Sequence, residues 1–445
     1  MADRRPEPQE DPGRHRPRRR AASREEELNN NNDPPPLERE LPIPVPPGAD
    51  LTYAQLLQLP AQDPVPEVFA PDLIPAQRNP THVTLTDHDG NPLNNDPDGP
   101  PPIALVAGVE QPTHAYAFLP DSQPIKLNHE EGWGEVRFGV VYGHVPGDPP
   151  HVFRAPDPNR RETPPYVAIK ILNKAVVQQH LRRGGKENPY KEICRYQELG
   201  DNVHVIRCEA MEDKEHLYII TPRCRPFVQE IFNPAQPLSP ATIHAHVVQM
   251  LRILVYLEKH RIHHRDLSPD NLFLLPSGQL VLVDFAMSLR IPTGMTADGR
   301  TQRTLIKDQG SFGTAAWMAP EIFHRFPFDG VTADLWCVMH MTYNLLTVNL
   351  LYRRPIPADW SYRFFVLAGG LTDQGMNEQA MEVLQEIAEE ATSSVREEIM
   401  NKAMAHLAFS PAIRTLLQNV FQNAPHERWT LGDVLRSDYV VNGPE

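Results

Sequence analysis

Hydrophobic positions change their period along this chain. Val136 to His144 and Tyr166 to Leu172 are short runs rich in β-branched and aromatic residues, with fainter runs at Val203 to Ala210 and His216 to Thr221. Such runs, bounded by glycine and proline, predict strands. The polar, proline-rich stretch from Pro146 to Pro165 reads as a long loop joining two antiparallel strands. At 188–199 the spacing becomes helical, with Ile193, Tyr196, Gln197 and Leu199 behind Pro189, which is placed to start a helix. Ser239-Pro240 opens a second helix carrying Ile243, Val247, Met250, Leu251, Leu254 and Leu257. A short hairpin is expected where Leu272 to Leu275 and Leu280 to Val283 flank Pro-Ser-Gly-Gln, and helices at Ala333 to Leu346, Glu378 to Arg396 and Pro411 to Phe421. Strands first and helices after predict an α+β chain, a small sheet lobe followed by a larger helical one.

Composition sharpens the boundaries. The 48 prolines of the 445-residue chain crowd its first part, where Pro34 to Pro36 and Pro100 to Pro102 sit among Asn29 to Asn32 and scattered acids. Too little apolar surface is available there to offset the entropy of ordering, so most of 1–122 reads as disordered, with the folded domain at 123–440 and a tail at 441–445. The net charge of −14 argues against nucleic acid or an anionic membrane as the main partner. The arginines of 14–24, around Ser23, form a local basic cluster that reads as a solvated tail, a nuclear-import signal or a basophilic phosphorylation site. Cys194, Cys208, Cys224 and Cys337 have neither metal-ligand spacing nor the density of a disulfide framework. No apolar run approaches the ~20 residues needed to span a bilayer. A cytoplasmic protein is expected, with nuclear entry through 14–24 as an added reading.

The chemistry concentrates in Ile262-His-His-Arg-Asp-Leu-Ser-Pro-Asp-Asn271 and Val283-Asp-Phe-Ala286. Asp266 is a carboxylate able to orient a hydroxyl nucleophile, and Asn271 and Asp284 are oxygen donors suited to magnesium. Lys170, inside the apolar Val167-Ala-Ile-Lys, would be costly to bury without a carboxylate partner, for which Glu187, Glu192 and Glu198 on or beside the helix expected at 188–199 are candidates; the interval of 22 to Glu192 resembles that of the protein-kinase ion pair. These segments resemble the catalytic loop, magnesium loop and phosphate-binding lysine of eukaryotic protein kinases. Gly313-Thr-Ala-Ala-Trp-Met-Ala-Pro-Glu321, Asp334-Leu-Trp336 and His426-Glu-Arg428 resemble, in family order, the substrate-docking segment, the aspartate that clamps the catalytic loop, and the arginine that pairs with Glu321.

The resemblance implies a two-lobed fold: a small antiparallel-sheet lobe with one main helix at about 123–221, a linker at 222–224, and a large helical lobe at 225–440. It implies ATP and Mg2+ as cofactors, and Ser/Thr hydroxyls of proteins as acceptors, the Gly313-Thr314 opening being of the serine/threonine style. Catalytic roles fall to Asp266, Lys170, Glu192 and Asn271, and magnesium to Asn271 and Asp284. The nucleotide would meet Ala168, Lys170, Leu272, Thr221 beside the adenine, and the Pro222 carbonyl and Cys224 N–H in the linker. Trp133 to Val141 matches the glycine-rich phosphate loop in part: Gly134, Gly139 and Val141 fall on family positions, while Val136 replaces the second glycine. Arg265 implies control by phosphorylation within 284–321, by an upstream kinase.

Departures are Ser268, where serine/threonine kinases usually carry lysine, Ala286 in place of the glycine after Asp284, and the acid-rich segment 373–406, longer than the family usually places there. Ser268 would hydrogen-bond Asp266 or Thr314 instead, and Ala286 would restrain the magnesium loop. Two alternatives stand beside an active kinase: an ATP-binding pseudokinase scaffold, and a small-molecule phosphotransferase, which 313–321 and Arg428 disfavour.

Overall fold

The computed structural model describes residues 42–444 except 81–82, 94–103, 110–113, 120–123, 128–132, 146–150, 158–165, 201, 233–236 and 371–375. The basic cluster around Ser23 and the polyproline runs at 34–36 and 100–102 lie outside the described residues.

Ten strands form the sheet of the small lobe: β1 (Ile74–Arg78), β2 (Val83–Thr86), β3 (Leu105–Gly108), β4 (His114–Phe118), β5 (Ile125–Leu127), β6 (Gly134–Val145), β7 (His151–Arg154), β8 (Tyr166–Asn173), β9 (Glu209–Glu212) and β10 (His216–Pro222). Seven of them close on themselves in the order β6-β4-β3-β1-β9-β10-β8 and back to β6. The interior is filled by Val106, Tyr116, Phe118, Val167, Ile169, Ile171, Met211, Tyr218 and Ile220. Strand alternation explains the lining of β8: Val167, Ile169 and Ile171 point into the barrel, leaving Ala168 and Lys170 on the other face.

Four sequence expectations change here. The described residues between 42 and 118 are not a loose extension: β1 to β4 are part of the sheet, and Ile43, Ala49 and Leu56 are buried. The sheet is mixed rather than antiparallel, because β1 pairs β9, and β2 pairs β7, in parallel. The loop expected between β6 and β8 contains β7, which pairs β6. Val203 to Cys208 forms no strand; Val205 and Ile206 are buried as irregular chain, with the Ile206 N–H donating to Leu282 O at 3.3 Å.

The main helix expected beside the sheet is α2 (Pro189–Leu199); among the described residues a shorter one, α1 (Lys174–Arg182), precedes it. Asn188 caps α2, its Oδ1 accepting the Tyr190 N–H at 3.0 Å, and Pro189 fills the first turn, where no N–H is needed. The large lobe is built on α3 (Pro240–Lys259), opened by Ser239, and α4 (Gly330–Thr347), which packs against it. Between them, strands β11 (Leu272–Leu274) and β12 (Leu280–Leu282) pair as the expected hairpin. The helix expected over Glu378 to Arg396 is broken at Ala391 and Thr392 into two: the amphipathic α5 (Glu378–Glu390) buries Ala380, Val383 and Ile387, and α6 (Ser393–Leu407) buries Ile399, Lys402, Ala403 and His406. Helix α7 (Pro411–Val420) follows.

Candidate active site

Lys170 projects from β8 toward α2, where its Nζ donates to Glu192 Oε2 at 2.8 Å. Glu192 is buried, and its other oxygen accepts the Tyr196 hydroxyl at 3.1 Å, one helical turn on. That hydroxyl in turn accepts the Asp284 N–H at 2.9 Å. A hydrogen-bonded chain therefore runs from Lys170 through α2 to Asp284. Burial alone would depress the Lys170 ammonium, but the Glu192 and Asp284 carboxylates outweigh it and hold its pKa above the usual lysine value, so it stays charged.

Asp266 lies in a pocket lined also by Arg265, Gly313, Thr314 and Trp317. Asn271 Nδ2 donates to Asp266 O at 2.8 Å and to Asp266 Oδ2 at 3.1 Å. The remaining Asp266 oxygen accepts the Thr314 N–H at 3.0 Å and its hydroxyl at 3.3 Å. Gly313 lets the chain come this close, since a Cβ there would sit 2.7 Å from Arg265 O and its φ is +103°. From behind, Asp334 Oδ2 accepts the His264 N–H at 3.0 Å, fixing the loop to α4.

The donors left over suit a hard cation. Among the described residues no hydrogen bond goes to Asn271 Oδ1 or Asp284 Oδ2, while Asp284 Oδ1 accepts the Ala286 N–H at 3.2 Å. Two oxygen ligands fit magnesium, which keeps waters and takes further oxygens from phosphate. Among the described residues no group of three or more His, Cys, Asp or Glu side chains is arranged to hold a metal.

A family model described as the protein kinase domain matches residues 152–440, well over half of the chain. The chain belongs to the protein kinase family. It is 24% identical over 290 residues to the CBL-interacting protein kinase 25 of Oryza sativa subsp. japonica, covering 64% of this chain and 48% of that protein. The serine/threonine-protein kinase 32C of Mus musculus is 29% identical over 196 residues, 42% of this chain and 36% of its own length. The CBL-interacting serine/threonine-protein kinase 15 of Arabidopsis thaliana is 29% identical over 189 residues, 42% of each. This kinase chain spans about half the length, or less, of the curated relatives it matches.

Other expected kinase positions divide. Ala168 lies between Phe138 and Thr221 across the sheet, and Leu272 is buried at the start of β11, where its carbonyl accepts the Phe227 N–H at 2.9 Å. In the linker, Pro222 O accepts the Cys224 thiol at 3.4 Å, and Arg223 stacks 4.4 Å over the Phe138 ring. The glycine loop is not where the motif placed it. Gly134 to Val145 is one uninterrupted strand, so no turn within it can wrap phosphates. Val136 pairs with Lys170 and shares its face, but Gly139 pairs with Val167 and Val141 packs on the barrel interior. Gly134 is needed for another reason: a Cβ there would meet Ile171 O at 1.9 Å. The connection from β5 to β6, at 128–132, lies outside the described residues.

Ser268 is buried and, among the described residues, its Oγ makes no hydrogen bond, so the expected bond to Asp266 or Thr314 does not form. Ala286 needs no left-handed backbone; its carbonyl accepts the Asn188 N–H at 3.1 Å, pegging the segment after Asp284 to the start of α2. Sequence reasoning also missed Tyr196 as a relay, although its place one turn after Glu192 was visible. Glu187, set aside in the sequence as a partner for Lys170, has its pKa raised by desolvation and by the Asp284 carboxylate. The expected Glu321 to Arg428 pair is formed, buried and bidentate, at 2.8 and 2.9 Å.

Proposed function

We propose that this protein is a serine/threonine kinase, transferring the γ-phosphoryl group of ATP to hydroxyls of protein substrates. The observation that carries the reading is the assembled Lys170–Glu192 pair, at 2.8 Å, joined through Tyr196 to Asp284. Protein kinases as a family use ATP and magnesium. Here Lys170 is suited to hold phosphate oxygens of the nucleotide, and Asn271 and Asp284 to hold magnesium, whose chemistry is to neutralise phosphate charge during transfer. Asp266 receives the acceptor hydroxyl and takes up its proton at a carboxylate oxygen. Asn271 and Thr314 keep that carboxylate fixed, so little reorganisation is required during transfer. Ala168, Thr221, Leu272 and the 222–224 linker support an adenine site at the base of β10.

The activation segment, 284–321, is docked through Arg265, whose guanidinium donates to Gln309 O at 2.8 Å and lies 4.5 Å over the Phe312 ring. Control by an upstream kinase belongs to the same proposal. Of its hydroxyls, Thr304 is buried while Thr301 and Ser311 are exposed. The test is incorporation of labelled phosphate into a protein acceptor, wild type against Asp266→Asn. Transfer by wild type, lost in the variant, is the result expected. ATP-dependent thermal stabilisation without transfer would instead make the protein a nucleotide-binding scaffold.

A further inference from the structure

The segment before β1 straps both lobes together. Ala49 O accepts the Gly432 N–H at 2.9 Å, and Gln62 bridges the activation segment, its N–H donating to Leu305 O at 2.9 Å and its carbonyl accepting the Lys307 N–H at 2.8 Å. The Val65 N–H donates to Arg290 O at 3.3 Å, and the Asp72 N–H to Gln197 Oε1 of α2 at 3.0 Å. Between the last two sits Glu67. Its carboxylate takes both terminal nitrogens of Arg195, one at 2.8 Å, and accepts Arg290 Nε at 3.1 Å.

These two arginines belong to the two elements that build the phosphate end of the site. Arg195 is three residues after Glu192 on α2, and Arg290 six after Asp284. Both also reach Glu198, at 2.8 and 2.7 Å. Two guanidiniums and two carboxylates therefore form one closed ring of charges. Glu67 is the member contributed from outside α2 and the magnesium-loop segment. Without it, Arg195, with only 2% of its side chain exposed, would share the single Glu198 carboxylate with Arg290. A buried cation left short of its counter-charge is strongly unfavourable, and the nearest relief is for α2 to swing toward solvent. That motion would draw Glu192 from Lys170. Phe69, 5.7 Å beneath the Arg195 guanidinium, adds an apolar floor from the same strap.

We propose that Glu67 is a positioning residue for phosphoryl transfer, holding α2 and the residues after Asp284 in the register that forms the Lys170–Glu192 pair. The role rests on the kinase reading above and is tested separately from it. In the full chain, Glu67→Ala and the isosteric Glu67→Gln are compared with wild type and with Asp50→Ala, which cuts only the strap's exposed contact with Arg436. Three quantities are read: kcat, KM for an acceptor peptide, and amide hydrogen exchange across 190–199. Glu67→Ala is expected to lower kcat about tenfold and speed exchange of α2 about tenfold, with KM for the peptide unchanged. Asp50→Ala is expected to stay within about twofold of wild type in all three. A folded Glu67→Ala protein with wild-type kcat and wild-type exchange in α2 would overturn the proposal. If that variant does not fold, Glu67→Gln is judged by the same criteria. If wild type transfers no phosphate, the kinase reading fails, and the exchange of α2 alone decides the role of Glu67.

Discussion

Thr314 holds Asp266 from both its backbone and its side chain, the N–H at 3.0 Å and the hydroxyl at 3.3 Å from the same carboxylate oxygen. The end of the activation segment is thus bonded directly to the catalytic loop. Thr314→Val keeps the N–H and the shape but removes the hydroxyl donor. The hydroxyl bond is exposed, so its loss should change the melting temperature little, while the less well-fixed Asp266 carboxylate should lower kcat several-fold. Steady-state kinetics beside a thermal melt check this. An unchanged kcat would show that the Thr314 N–H and the Asn271 amide position Asp266 without the hydroxyl.

Glu321 and Arg428 form a paired charge in the large lobe, with Arg428 also 4.4 Å over the Trp336 ring. Removing one partner leaves the other buried and uncompensated. Arg428→Met is therefore expected to cost about 3–5 kcal/mol in urea unfolding, and the double change Glu321→Leu with Arg428→Met much less. Equal losses in the single and double variants would mean that packing on Trp336, not charge, is what matters there.

The buried histidines make the fold acid-sensitive. His340 Nε2 accepts the Leu351 N–H at 3.1 Å, which requires a neutral ring, and burial followed by the Lys402 charge lowers its pKa to about 3 from 6.5. A group whose folded pKa lies below its unfolded value loses the unfolded-state proton on folding. Its contribution to stability is whole above pH 6.5 and is lost as pH falls through the window from 6.5 toward 3. His204, His246 and His406, lowered to about 4, act in the same direction. His340→Gln should flatten the stability slope near pH 5 by about 1.4 kcal/mol per pH unit. Urea titrations at several pH values measure that slope, and an unaltered one would place a proton on His340 in the folded state.

Ala286 adopts ordinary backbone angles and is buried. Glycine there would widen the unfolded ensemble and remove a packed methyl group, so Ala286→Gly should destabilise by about 0.5–1 kcal/mol. With the Asn188 peg made by backbone atoms, kcat should remain near wild type. A large change in kcat, with little change in stability, would instead tie the alanine to the movement of Asp284 and Phe285.

Local rules and motif spacing carried much of the site. Asn188-Pro189 and Ser239-Pro240 are cap chemistry that needs no tertiary context, and both helices begin there. The Lys170–Glu192 pair was legible because a lysine inside an apolar strand is costly to bury alone and the interval of 22 residues is the one the kinase ion pair uses. What was hidden depends on distant partners. The strand β1 reads Ile-Pro-Ala-Gln-Arg, a poor strand by composition, and is held by β3 and β9 on either side. Averaged with the polar stretches around them, the strands between 74 and 118 looked like more of the same low-hydrophobicity region. Gly134 misled for a different reason: close approach to the Ile171 carbonyl and close approach to a phosphate both demand glycine, and one sequence does not distinguish them. Glu67 carried no signal at all, since a lone acid in a proline-rich segment has no visible partner until Arg195 and Arg290 are brought to it.

The central claim, phosphoryl transfer to serine and threonine through the Lys170–Glu192 site, is tested most directly by one phosphoamino-acid determination. A mixed peptide library is incubated with Mg-ATP and the full chain, as wild type and as Lys170→Met. Phosphoserine and phosphothreonine from wild type, with the yield from Lys170→Met at least about a hundredfold lower, is the predicted result. Equal yields from the two proteins, or phosphotyrosine as the main product of wild type, would contradict it.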